Sequence, residues 1–324
     1  MKIRDYYLSK RNQKKSITKN DKLFESSIKN IARGVHGTDL DRIKTFNLGE
    51  MYDIHITPVH FYQPIPDTRN IKEEVYNHVK NFSGINFREK EQLALIEKFS
   101  KYANELKSFP HDHTGNESQF YFNNEFFGQM DSIIYYSMIR EFNPKRIIEV
   151  GSGFSTMIAS QASSKNSDTL ITSIEPYPNS VLTKGLPNLE ELIKKPVQEV
   201  SLEKFKELEK NDILFIDSSH VVHIGSDVNY LFLEVIPELK KGTMIHIHDW
   251  FYPFEYPKSW INDRKIFWNE MYLVQAFLTG NSDYDILTSN YYLNTTHFDK
   301  LKKSFPFMRD TYGGSGSLWI RKNE

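Results

Sequence analysis

The chain has 324 residues, 39% hydrophobic and 26% charged, which suffices for one large core domain plus an extension. Lys and Arg total 41 against 42 Asp and Glu, a net charge of -1, so no global field draws it toward nucleic acid or an anionic membrane. Cysteine is absent, which excludes disulfides, zinc–thiolate sites and a cysteine nucleophile.

The opening MKIRDYYLSKRNQKKSITKN is basic and polar and lacks the apolar stretch of a secretory signal. No unbroken apolar run reaches the length of about 18 residues that a membrane span needs. The expectation is a soluble, cytoplasmic protein. Residues 1–50 are weakly periodic and predict a flexible or loosely helical start. MYDIHITPVHFYQPIPDTR (51–69) joins aromatics, prolines and two histidines, His55 and His60, which predicts an ordered extended loop. This segment is a candidate lid or substrate-facing wall. It can pack on its own domain or on a neighbouring copy, so a homo-oligomer is compatible with it. Ile71, Val75, Val79, Leu93, Leu95, Ile96 and Phe99 predict helix over 71–108. A polar loop with His111 and His113 follows. The expected organisation is an N-terminal extension over 1–118 and a second domain over 119–324.

FFGQMDSIIYYSMIREF (126–142) then predicts a helix. RIIEV (146–150), TLITSIE (169–175), DILFID (212–217) and TMIHIHD (243–249) are short apolar runs of the kind covered on both faces of a sheet. A weaker strand is predicted at PVQEV (196–200), and helices separate the runs, as in DVNYLFLEVIPELKK (227–241). The tail adds a helix at WNEMYLVQAFL, a strand at YDILTS, a further helix and a last strand at GSLWIRK. This alternation predicts an α/β fold: a Rossmann-like, doubly wound, mostly parallel seven-stranded sheet whose final strand inserts antiparallel, with a partly helical N-terminal extension.

The turn after the first strand carries the chemistry. Gly151 and Gly153 stand where an open sheet binds ligands, beyond the carboxyl end of a strand and before a helix. The dinucleotide fingerprint needs a third glycine at 156, where Thr156 stands, and the Gly-Lys-Ser/Thr of a phosphate loop is missing. Glu149 at the strand end would repel a pyrophosphate and suit a cationic ligand. Glu175, about 20 residues past the glycines, fits an acceptor for ribose hydroxyls. A cationic ligand with a ribose and no phosphate describes S-adenosylmethionine.

IEVGSGFST, IEP, DILFIDSSH and KKGTMIHIHDW together resemble the motifs of class I S-adenosylmethionine-dependent methyltransferases, from about Phe126 to the C-terminus. Within that superfamily the chain is similar to bacterial sugar and natural-product O-methyltransferases, and distantly to catechol O-methyltransferases. Ser155 replaces the last glycine of the family's first motif and can donate a hydrogen bond to a carboxylate. The resemblance implies cofactor binding by Glu149, Gly151, Gly153, Ser155 and Glu175. Gln198, at the end of the predicted third strand, is placed near the adenine by position alone. In the metal-dependent members, carboxylates ending the fourth and fifth strands hold a divalent cation, which maps onto Asp217 and Asp249 and implies Mg²⁺. Trp250 stands where those members often have a further Asp or Asn, and His248 is a softer alternative ligand.

Methyl transfer is an in-line displacement that needs an aligned acceptor and removal of its proton. The expected reaction is O-methylation of a small polar metabolite or sugar hydroxyl. His220 is the expected base, because a free imidazole titrates near neutrality, with Asp217 and Asp249 orienting it or binding the metal. Trp268 and Glu270 either line the acceptor pocket or serve as core and surface. His246 and His248 share one strand face and are expected in a polar crevice or under a helix. Two other readings remain: a metal-dependent oxygenase or hydrolase using His220, His246, His248 and Asp249, and a non-catalytic binding protein with a vestigial cofactor site. A nucleic-acid methyltransferase is disfavoured, since there is no basic excess and no flipped-base motif after the fourth strand.

Overall fold

The computed structural model describes residues 19–166, 168–309 and 315–323. The chain divides into two units, Met1–Asn77 with Tyr256–Phe267 and His78–Glu255 with Trp268–Glu324. Of the polar start predicted from sequence, residues 1–18 lie outside the described residues. The rest is regular helix, α1 over Lys19–Val35 and α2 over Asp39–Glu50. Thr38 starts α2 with a reciprocal cap: its hydroxyl accepts from the Asp41 amide at 3.3 Å, and the Asp41 carboxylate accepts from the Thr38 amide at 3.0 Å. Residues 52–70 then run without helix or strand, as the prolines predict. In the same unit the Tyr76 hydroxyl donates to Asn262 Oδ1 at 3.1 Å, joining the short helices Glu73–Asn77 and Lys258–Asn262.

The larger unit contains a seven-stranded sheet in the order β3-β2-β1-β4-β5-β7-β6. The strands are β1 Arg146–Val150, β2 Leu170–Ile174, β3 Leu189–Ile193, β4 Ile213–Ile216, β5 Met244–Ile247, β6 Tyr284–Ser289 and β7 Leu318–Lys322. The first five run parallel, while β7 enters antiparallel between β5 and β6. The predicted Rossmann-like sheet is therefore present, with its antiparallel final strand. β4 and β5 are buried along their whole length, as expected for central parallel strands covered on both faces. Helix α4 (Gln129–Phe142) is buried at every position from Gln129 to Ile139 and anchors one face of the core. Helix α5 (Phe154–Ser163) follows β1.

Three expectations need correction. The third strand is Leu189–Ile193; Val197–Glu199 forms a single tight helical turn instead. Pro196 has no amide hydrogen for a ladder, whereas the earlier segment pairs with β2 from Ile171↔Leu189 to Ile174↔Ile193. The helix predicted over 71–108 is broken: residues 78–88 carry no helix, and α3 spans Glu89–Phe99. Gly84 adopts φ +75° and its carbonyl accepts from the Gly280 amide at 2.7 Å, a backbone pairing that a helix would forbid. Finally, the boundary between units falls at Asn77 rather than 118, because Ile96, Phe99 and Leu106 pack into the core cluster of α4 and the sheet. Gln92 ties the same segment to β6, its Oε1 accepting from the Ser289 amide at 2.8 Å.

At the amino ends of β1 and β4, Asp212 is buried and accepts from the amides of Lys145 at 2.8 Å, Arg146 at 2.9 Å and Glu209 at 2.9 Å. Removing it strands three donors. Asp212→Ala is expected to destabilise the fold by about 3 kcal/mol in urea unfolding. A loss below about 1 kcal/mol would show that water replaces the carboxylate.

Candidate active site

The glycine turn forms at the carboxyl end of β1, beside that of β4. Gly151 has φ +77°, and a Cβ there would lie 1.9 Å from the Asp217 carbonyl oxygen, so the position admits glycine alone. Backbone bonds hold the three strand ends together: the Gly151 amide donates to Ile174 O at 3.0 Å, and the Asp217 amide to Val150 O at 2.8 Å. Nothing lies within 4 Å of a Cβ built on Gly153, so that side of the turn is open. Glu175 follows β2 and accepts from the Ser152 amide at 3.3 Å and the Tyr177 amide at 2.9 Å. Glu175 thus stands beside the turn.

Glu149 stands elsewhere. It is fully buried beneath the turn, accepting from the Tyr135 hydroxyl at 2.9 Å. Burial pushes its carboxyl up to about 7, against the hydrogen bonds of Thr156, Tyr135 and Ser155. The Thr156 hydroxyl also accepts from the Gly153 amide at 3.0 Å. Glu149 and the buried Ser155 therefore brace the turn from below rather than line it. Gln198 sits on the tight turn after β3 and donates to Gly225 O at 3.1 Å, which removes the strand-end argument for placing it at the adenine.

Across the crevice, β4 and β5 deliver Asp217, His220, His248 and Asp249. His220 and Asp249 both take positive φ, +61° and +54°. His220 Nε2 lies 3.2 Å from Asp217 Oδ1 and 3.4 Å from Asp249 Oδ2, and its Nδ1 lies 2.8 Å from Glu270 Oε2. Trp268 packs on the imidazole at 4.3 Å between ring centroids. At the start of helix α6 (Glu270–Leu278), the amides of Asn269, just before it, and of Glu270 donate to the His220 carbonyl at 3.1 Å each. Glu270 is buried, so the reading of it as a surface residue is replaced by that of a partner for His220.

The surroundings of His220, the base expected from sequence, shift its basicity. Burial lowers the basicity of His220, but Asp217, Glu270 and Asp249 outweigh it and hold the imidazole well above its ordinary value. Asp217 is held down at about 2, since the imidazoles of His248 and His220 outweigh its burial. Asp249 goes the other way: burial raises it, with Asp217 adding to the effect and His248 and His220 opposing. His246 leaves the site altogether. It stacks on Phe215 at 3.8 Å, its Nε2 lies 2.8 Å from Ser317 Oγ, and burial pushes it well below its ordinary value.

Asp131, which sequence reasoning did not single out, fixes this wall. Its carboxylate accepts from the amides of Gly316 at 2.8 Å and Ser317 at 3.1 Å and from Asn290 Nδ2 at 2.8 Å. The Gly316 carbonyl in turn accepts from the Trp250 amide at 2.7 Å, directly after Asp249. Trp250 itself is buried and donates to Ser289 Oγ at 3.2 Å, so it serves the core.

The donor set mixes carboxylate oxygens with imidazole nitrogen. Magnesium prefers oxygen ligands; the ligand atoms grouped within 4.8 Å are those of Asp217, Asp249 and His248, with the His220 ring set against both carboxylates.

Glu149 makes one part of the site testable by pH. Between 4.5 and about 7 the unfolded chain releases a proton that the folded chain keeps. Stability therefore falls as pH rises through that window, by roughly 3 kcal/mol, and this contribution is constant above it. Glu149→Gln removes that slope. Measured without ligand, the variant should gain on wild type by roughly this amount across the window; parallel curves would contradict the assignment.

The sequence family described as "Methyltransferase domain" matches residues 148–250, the stretch from β1 through the fifth strand's Asp249. A protein of Archaeoglobus fulgidus, itself described only as uncharacterized, is 36% identical over 192 residues, covering 54% of this chain and 86% of its own length. Among solved structures, an SAH-bound methyltransferase of Podospora anserina is 17% identical with a TM-score of 0.40, covering 71% of this chain and 88% of its own. The O-methyltransferase of Streptomyces achromogenes involved in tomaymycin synthesis, solved with SAM, is 12% identical with a TM-score of 0.37, covering 71% and 90%. Likeness at this level leaves the acceptor open. Among the described residues no helix is long and apolar enough to cross a membrane. The matched domain, the sheet order and the glycine turn agree on a class I S-adenosylmethionine-dependent methyltransferase.

Proposed function

We propose that the protein transfers the methyl group of S-adenosylmethionine to a hydroxyl of a small polar molecule, a sugar or polyol in character. One observation carries the reading. The Gly151–Gly153 turn with Glu175 and the Asp217–Asp249 pair stand at the same carboxyl end of the sheet, on adjacent strands. A cofactor seated on the turn would point its sulfonium toward those carboxylates.

In this reading Glu175 accepts hydrogen bonds from the ribose, and the open face at Gly153 admits the methionine part. The acceptor hydroxyl docks on the carboxylate side. Alignment of the reacting oxygen supplies most of the rate, worth roughly 7–11 kcal/mol when geometry is ideal. Asp249, whose carboxyl is raised, is the better proton acceptor; Asp217 stays charged and orients the hydroxyl. His220, whose basicity Asp217, Glu270 and Asp249 raise, sits against both carboxylates and offsets their mutual repulsion. A wall of carboxylates and imidazoles suits a polar acceptor over an apolar one.

Calorimetric titration with S-adenosylmethionine tests the cofactor half. Wild type should bind one equivalent, and Glu175→Ala should bind about tenfold more weakly or worse, the cost of a lost hydrogen bond to a charged group. Absence of binding to wild type, or equal binding by the variant, would remove the proposed cofactor geometry.

A further inference from the structure

The smaller unit lacks a core of its own. Among its described residues the buried hydrophobic side chains are Val35 and Tyr256. Several large apolar side chains stand in water instead. Phe24 is 68% exposed, Tyr52 71%, and Phe61 and Tyr62 81% each, with Leu40 and Ile43 more than half exposed. An aromatic side chain carries about 150–250 Å², so these four rings alone expose roughly 450–750 Å². The largest apolar patch of a typical monomer is about 300–600 Å², and one side of a standard protein interface is about 800 Å². Four rings and two aliphatic chains within one short stretch thus supply the apolar area that a stable dimer needs.

The helices give the face its shape. In α1, Phe24, Ile28, Ile31 and Val35 recur at a 4-3-4 spacing and form one seam of the coiled-coil kind, while Lys22 and Arg33 fall on the opposite side. Helix α2 covers only the end of that seam. A Cβ on Gly34 would collide with Thr45 Oγ1, which puts the crossing there. Exposure accordingly falls along the seam, from Phe24 at 68% through Ile28 at 46% to Val35 at 6%. Charge beside the seam suits a symmetric partner. Glu25 and Lys29 stand two residues either side of Ser27 and pair within the helix at 2.7 Å. A two-fold axis at Ser27 would also set each against its counterpart in a second copy. On α2, Leu40 and Ile43 point away from Thr45 and stand beside Asp39 and Glu50, carboxylates that an anionic lipid surface would repel. The face lies outside residues 148–250, the span of the family match.

We infer that the protein forms a two-fold dimer through this face. Helix α1 of one copy runs antiparallel to α1 of the other, and Phe24 and Ile28 of each fill the uncovered seam of its partner. The aromatic segment over 52–62 is buried in the same contact. The inference goes beyond the methyltransferase reading and does not rest on it.

The test is sedimentation velocity of the full chain over a range of concentrations, without S-adenosylmethionine. Wild type is expected as a dimer. Phe24→Glu combined with Ile28→Glu should weaken it about thirtyfold or more, as loss of a central apolar anchor does. A second measurement is independent of that variant. The chain has no cysteine, so a single introduced one is a specific handle. Ser27→Cys, at the two-fold axis, should cross-link to a dimer with a short bis-maleimide. Lys22→Cys, on the opposite side of α1, should not. Wild type that stays monomeric, or assembles beyond two copies, overturns the inference and leaves the face to another occupant. A dimer undiminished by the double substitution overturns it as well, as do equal cross-linking yields at the two cysteine positions. Should the double variant not fold, the cross-linking comparison decides alone.

Discussion

The close approach of β1 and β4 sets the scale of this site. With 1.9 Å between a Gly151 Cβ and the Asp217 carbonyl, no side chain can separate the two strand ends. The ligand-facing turn after β1 and the carboxylate after β4 are therefore neighbours through the backbone itself. A hydrogen bond from the Asp217 amide to Val150 closes the same junction. Everything else elaborates this contact. β2 brings Glu175 to one side of it, and β5 brings His248 and Asp249 to the other.

Charge follows from the same crowding. Asp217, Asp249 and Glu270 meet within a largely buried volume, where like charges repel strongly. His220 resolves this by touching all three. Its backbone is held as firmly as its ring, since the amides at the start of α6 donate to its carbonyl. The acidic wall is thus a preorganised unit rather than a set of loose side chains, which is what alignment of an acceptor oxygen requires. Asp131 extends the rigidity through Gly316 to the residue after Asp249.

Most of the sheet was legible in the sequence because central parallel strands are apolar on both faces and announce themselves, as DILFID and TMIHIHD do. The edge strand was not: Leu189–Ile193 is largely exposed or half-buried, so LEELI lacks the apolar run that marks its neighbours. The helical break at 78–88 was equally hidden, because the Gly84–Gly280 pairing joins residues far apart in the chain. Within the site, residue types at strand ends pointed to the turn, Glu175 and the carboxylates, which the fold brings to one end of the sheet. Their ionisation was not readable, since it depends on neighbours brought in by the fold. The basicity of His220 is raised by Asp217, by Glu270 fifty positions on, and by Asp249, neighbours that only the fold brings together. The one local hint was WNEMY, whose Trp268 and Glu270 both close on that ring.

The central claim is that methyl donor and acceptor meet at the β1–β4 junction. A crystal structure of the protein with S-adenosylhomocysteine tests it most directly. The account predicts the ribose hydroxyls within hydrogen-bond distance of Glu175, the homocysteine part over Gly151–Gly153, and the sulfur facing Asp217 and Asp249. A ligand bound with its sulfur turned away from those carboxylates, or seated away from the glycine turn, would contradict it.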